Sequence, residues 1–87
     1  MNIASFDCGD MVEWESQAGG HSKKKVGKVI DILVPGDMPR HEINGGTGFA
    51  RKQMSYVVSV EFRPGRFRNY WPIASKLRAI KAVQNAA

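Results

Sequence analysis

From Gln53 to Phe62 apolar and polar residues alternate. Met54, Tyr56, Val58, Val60 and Phe62 fall on one side, and Gln53, Ser55, Ser59 and Glu61 on the other. A period of two, rich in β-branched and aromatic residues, predicts a strand with one buried face. Val57 alone breaks the polar side. Arg63-Pro64-Gly65-Arg66 then reads as a turn, because Pro presets φ at its second position and Gly accepts a positive φ at its third. Phe67–Tyr70 returns antiparallel, since so short a connection cannot reach a parallel neighbour. On that returning strand Phe67, Asn69 and Trp71 share one face, and Arg68 and Tyr70 the other.

The same pattern runs more weakly upstream. Met1–Cys8 reads as a lead-in, with Phe6 packing onto the end of the fold. Gly9-Asp10 is a turn pair, and Met11–Glu15 alternates, with Val12 and Trp14 opposite Glu13 and Glu15. Gln17–Lys24 is a polar, glycine-bearing loop. Lys25–Val34 is predicted as a second strand, in which Val29, Ile30, Ile32 and Leu33 crowd around Asp31. Gly27 and these apolar pairs point to a bulge or sharp bend. A helix is the competing assignment, opposed by the β-branched residues, the internal Gly and the Pro35-Gly36 stop. Pro35–Lys52, with two prolines and four glycines, is a long flexible loop. At the end, Pro72–Ser75 fits a 3₁₀ turn and Lys76–Lys81 a closing strand. Ile73, Leu77, Ile80 and Val83 keep near-helical spacing, so a helix over residues 75–84 stays open.

These elements predict an all-β chain, a single five-stranded barrel of the small SH3-like kind spanning 1–87. Its core covers about 6–81, the loop 35–52 lies between strands 2 and 3, and 82–87 form a tail. Eighty-seven residues suffice for one small core. A hydrophobic content of 43% with 24% charged residues fits a globular chain and argues against wholesale disorder. No apolar run approaches the length of a membrane span, and MNIASFDCGD lacks the features of a secretory leader. A lone cysteine, Cys8, permits no internal disulfide, which suits a cytoplasmic protein.

In order, the landmarks are Phe6, Gly9-Asp10-Met11-Val12-Glu13-Trp14, a glycine loop, Gly27-Lys28-Val29, Tyr56-Val57-Val58 and Ser75-Lys76-Leu77-Arg78. This series resembles SH3-like barrels of the Tudor and KOW type, most of all the bacterial hypervirulence-associated Tudor domains. Those open on a similar G-D-x-V-x-W strand and end on a similar S-x-L-R strand. The resemblance covers about residues 6–81 and implies the barrel fold. The family is defined by its domain more than by an activity.

Charge changes the picture most. Residues 1–50 hold five cations against seven acids, net −2, whereas 51–87 hold eight cations against Glu61 alone, net +7. A basic half of this kind suits a polyanion or an acidic protein surface. Arg63, Arg66 and Arg68 flank a hairpin that also carries Phe67, Tyr70 and Trp71. Cations for phosphate beside aromatic faces for bases are the ingredients of sequence-tolerant nucleic-acid binding. The expected contacts are Arg51, Lys52, Arg63, Arg66, Arg68, Lys76 and Arg78 to phosphate, extended by Lys81, with Tyr70 stacking. The alternative is core use of Phe67 and Trp71, a half-buried Tyr70 and merely solvated arginines.

The function expected is a non-enzymatic module that binds DNA or RNA. Its rival is a protein-interaction module or small inhibitor that docks the same face on an acidic, nucleic-acid-binding-type surface. Free strand edges would also let it pair with a peptide or a second copy, as a monomer or weak homodimer. An aromatic cage for a methylated ammonium would draw on Trp14, Tyr56, Tyr70 and Trp71, though a basic surround opposes such a ligand. Asn44-Gly45-Gly46-Thr47-Gly48 lacks the Lys and Ser/Thr of a phosphate loop. Cys8, His21 and His41 lack metal-ligand spacing, and no acid or thiol is oriented for catalysis. No metal, cofactor, catalytic residue or membrane partner is expected.

Overall fold

The computed structural model describes residues 6–18 and 20–80. The segment before Phe6, Lys81 and the 82–87 tail lie outside them. The chain forms strands β1 (Met11–Ala18), β2 (His21–Leu33), β3 (Ser55–Arg63), β4 (Arg66–Tyr70) and β5 (Arg78–Ala79), with a 3₁₀ turn at Ala74–Lys76. They make one antiparallel five-stranded sheet in the order β4-β3-β2-β1-β5. β4 and β5 are its two edges, so the hydrogen-bonded sheet is open. A single bridge, Ser55 to Ile73, ties the start of β3 to the segment before the 3₁₀ turn.

The predicted hairpin is present, with Val58 opposite Tyr70 and Val60 opposite Arg68. The first hairpin is longer than its pattern suggested. Gln17–Lys24 is not a loop, since β1 runs to Ala18 and β2 starts at His21, with Trp14 opposite Lys25 and Ser16 opposite Lys23. Among the described residues the chain's end takes the 3₁₀ turn and strand rather than a helix. β5 is two residues long, pairing Val12 with Ala79 and Glu13 with Arg78.

Gly27 makes a sharp approach possible. A Cβ there would run into the Ser59 carbonyl oxygen and sit 2.8 Å from Val58 Cγ1 and 2.9 Å from Val60 Cγ2. β2 and β3 therefore close on each other more tightly than any side-chain-bearing residue would permit. Beyond it the ladder slips between Val29 and Asp31, leaving Ile30 as the bulge. An extra residue reverses facing downstream, and Leu33 consequently packs on the side opposite Val29.

Two apolar clusters result. The larger joins Val12 and Trp14 of β1, Val29 of β2, Tyr56 and Val58 of β3, and Phe6, Ala74 and Leu77. Phe6 caps it, its N–H donating to the Tyr56 hydroxyl at 3.1 Å and its ring meeting Tyr56 edge-on. The smaller lies on the other face and joins Leu33, Val57, Trp71 and Ile43. Ile43 comes from the 34–54 connection, which therefore folds back over this face. It is tied down by Gly36 N–H to Arg51 O at 2.9 Å and Asn44 N–H to Asn69 O at 2.8 Å. Trp71 spans the two ends of the hairpin, donating its indole N–H to buried Ser55 Oγ at 2.7 Å.

Candidate nucleic-acid interface

β1 pairs with β5 only at Val12 and Glu13, so the stretch Trp14–Ser16 is a free edge. Facing it are Tyr70–Ile73 and Lys76, and between these walls runs a groove of about 250 Å³. Lys25 enters from β2 and Arg51 from the long connection. Antiparallel pairing puts Lys25 directly opposite Trp14, on the same face of the sheet. Its ammonium rests 4.8 Å from the centre of the Tyr70 ring. Tyr70 is half-buried and meets Trp14 edge-on at 6.0 Å.

Arg51 is held most firmly. Its guanidinium lies 4.3 Å above the Trp71 ring, and Nη2 donates to the Trp71 carbonyl at 2.7 Å. Its Nε is buried with no hydrogen-bond partner among the described residues. Opposing these cations the groove has one acid, Glu15. Three positive charges against one negative favour an anion.

Of the eight residues expected to bind, Arg51, Tyr70 and Lys76 meet in this groove. Arg68 stands two residues before Tyr70 on the same face of β4, its guanidinium stacked 4.0 Å from the Phe62 ring centre. Arg63 and Arg66 are exposed at the hairpin turn, paired across it. Lys52 is exposed beside Arg51. Arg78 stands apart. It projects from the outer face of the β1–β5 edge, where its Nε lies 3.4 Å from Glu13 Oε2. Lys24 reaches the other Glu13 oxygen at 3.0 Å. These neighbours, Lys24 first, hold the Glu13 carboxyl below its ordinary range against the opposing effect of partial burial.

Two features of the surface go beyond the sequence reading: Lys25, the first residue of the predicted second strand, lines the groove, and Phe49 at the glycine-rich loop tip is 94% exposed. Of the two aromatics with core use as their alternative, Phe67 is 59% exposed and Trp71 is buried. Tyr56, a member of the aromatic-cage set, is buried in the larger cluster away from the groove. Cys8 is an exposed free thiol; the side chain of His21 lies outside the described ones. Among the described residues no three His, Cys, Asp or Glu side chains gather as a metal site would need, and no helix is long and apolar enough to cross a membrane.

No protein-family model, curated protein or solved structure matches the chain.

Proposed function

We propose that the chain is a non-enzymatic binding module of SH3-like, Tudor/KOW-type architecture that contacts single-stranded nucleic acid through the groove and the adjoining face of β4. Support for the architecture comes from the strand order β4-β3-β2-β1-β5, the 3₁₀ turn before the last strand, and the close β2–β3 approach at Gly27 followed by the bulge at Ile30. A cytoplasmic setting belongs to the same reading, since an exposed free Cys8 thiol suits a reducing compartment.

The function rests on one observation: Lys25, Arg51 and Lys76 converge on a groove walled by Trp14, Tyr70 and Trp71. Lys25, Lys76 and Arg68 would bind successive phosphates, and the half-buried Tyr70 ring would meet sugar or base, while Trp14 and Trp71, both buried, form the floor beneath it. Arg51, already committed to Trp71, shapes the groove and adds to its positive potential.

Fluorescence anisotropy with labelled single-stranded DNA, duplex DNA and RNA at several salt concentrations tests this. The wild type is expected to favour single strands, with log K falling linearly against log salt. Changing Lys25 and Lys76 together to Ala should weaken every sequence alike and flatten the slope by about 1.4, from roughly 0.7 per phosphate on a single strand. Arg78→Ala, on the other face, should leave binding unchanged. Absence of binding at low salt would refute the reading and leave the groove as a docking face for an acidic protein.

A further inference from the structure

A second cavity opens at the outer edge of β4, between that strand and the Glu42–Gly45 stretch of the long connection. Its volume is about 330 Å³, at the small end of ligand pockets, which run from about 300 to 1,000 Å³. The walls are clipped together rather than merely adjacent. Asn44 N–H donates to Asn69 O at 2.8 Å, and Asn69 Nδ2 donates to Glu42 O at 3.1 Å. A tight turn, closed by Gly46 N–H to Ile43 O at 2.9 Å, holds the loop side. Positive φ at Gly45 and Gly46 sustains that turn. Ile43 anchors it in the smaller apolar cluster.

Phe67 lines this cavity while 59% exposed, whereas Tyr70, the other aromatic of β4, packs edge-on against Trp14. A solvated phenyl ring on a rigid edge strand is a platform for something flat. Around it the free groups are polar. The Asn69 amide nitrogen is spent on Glu42, but neither the Glu42 carboxylate nor the Asn44 side-chain amide has a hydrogen-bond partner among the described residues. Arg68, also on the lining, continues from here to the face that carries Tyr70.

We propose that this cavity is a subsite for one unpaired nucleobase, stacked on Phe67 with its hydrogen-bonding edge toward Glu42 and Asn44. The proposal rests on the nucleic-acid reading of the groove and gives it a base preference. A carboxylate only accepts hydrogen bonds, so Glu42 favours bases that present an exocyclic amino group, as cytosine does through N4. Thymine and uracil turn carbonyl oxygens toward the same position and are disfavoured.

The test compares labelled oligodeoxycytidine and oligothymidine of equal length. The wild type is expected to bind the cytidine strand more tightly, by about fivefold for one such contact. Glu42→Gln should narrow that difference. Phe67→Ala should weaken both strands by about tenfold without changing the salt slope, as loss of a stacked base does. Phe67→Tyr should restore binding and Phe67→Leu should not, which separates stacking from simple apolar packing. If Phe67→Ala binds like the wild type while the Lys25/Lys76 double change weakens binding, the subsite is overturned and the groove stands. Equal affinity for the two strands in the wild type overturns the base preference. Failure of the wild type to bind either strand at low salt overturns groove and subsite together.

Discussion

Arg51 links the fold to the candidate site, and its removal separates two roles that sequence alone merges. Truncation to Ala removes a guanidinium stacked 4.3 Å above Trp71 and a 2.7 Å hydrogen bond to the Trp71 carbonyl. The stack is worth about 0.5–2 kcal/mol, and a hydrogen bond from a charged donor about 1.5–3 kcal/mol. Against this, Arg51 Nε is buried without a partner, and relieving that returns about 1 kcal/mol or more. The net loss is about 1–4 kcal/mol, centred near 2. In a domain of this size that lowers Tm by roughly 8–16 °C. With a urea m-value of about 1 kcal/mol/M, the unfolding midpoint falls by about 2 M. Urea unfolding followed by tryptophan fluorescence and by circular dichroism measures the shift. Arg51→Lys should recover less than half of it, since an ammonium has the charge but not the planar fork. An Arg51→Ala midpoint within about 0.5 M of the wild type would refute the role of Arg51 as a tie between the loop and Trp71.

Two further outcomes are expected. Gly27→Ala should cost about 1–3 kcal/mol or more, because the new methyl meets Ser59, Val58 and Val60 and the nearest obstacle is backbone; a melting temperature equal to or above the wild type's would show that β2 and β3 do not approach this closely. Glu13 titrates below its ordinary range because of Lys24 first and then Arg78, so its stabilising contribution is present above the unfolded-state pKa and is lost as pH falls through the lower folded value. A pH titration followed by NMR should show the Glu13 pKa rising more in Lys24→Ala than in Arg78→Ala, and the reverse order would contradict the assigned hierarchy.

Strands and turns were legible where local chemistry and long-range packing agree. The alternation through β3 and the Pro64-Gly65 turn produce the hairpin expected of them. Val57, which breaks the alternation, is fully buried beneath the loop residue Ile43. The apparent flaw in the pattern thus marks a second apolar cluster. The crowding around Asp31 likewise marks the bulge at Ile30, which carries Leu33 to that cluster. Sequence starts β2 at Lys25 rather than at His21, because Lys23 and Lys24 resemble a solvated loop. Continuing the period of two back from Val29 through Gly27 sets Lys25 and Lys23 on the face of Trp14, and that signal would have placed Lys25 at the site. For Phe67 the sequence left a surface role and a core role open, and its exposure excludes the core one. That exposure depends on how far the 34–54 connection covers the second face, which no local pattern encodes.

The aromatic residues bear on which sign of ligand the groove accepts. Trp14, Tyr70 and Trp71 do come together, as a cage for a methylated ammonium would require. Yet the chain's own cations already lie against two of the three rings, Lys25 on Tyr70 and Arg51 on Trp71. An incoming cation would have to displace both and would meet Lys76 besides. An anion displaces neither. Lys25 has no ion-pair partner among the described residues, so its three donors are free to turn toward a phosphate while its stem stays on the ring. Rotamer freedom that a solvated lysine would lose on binding is already restricted by that contact. Rings suited in isolation to hold a foreign cation serve here to position native ones, and that arrangement favours an anionic ligand over a cationic one.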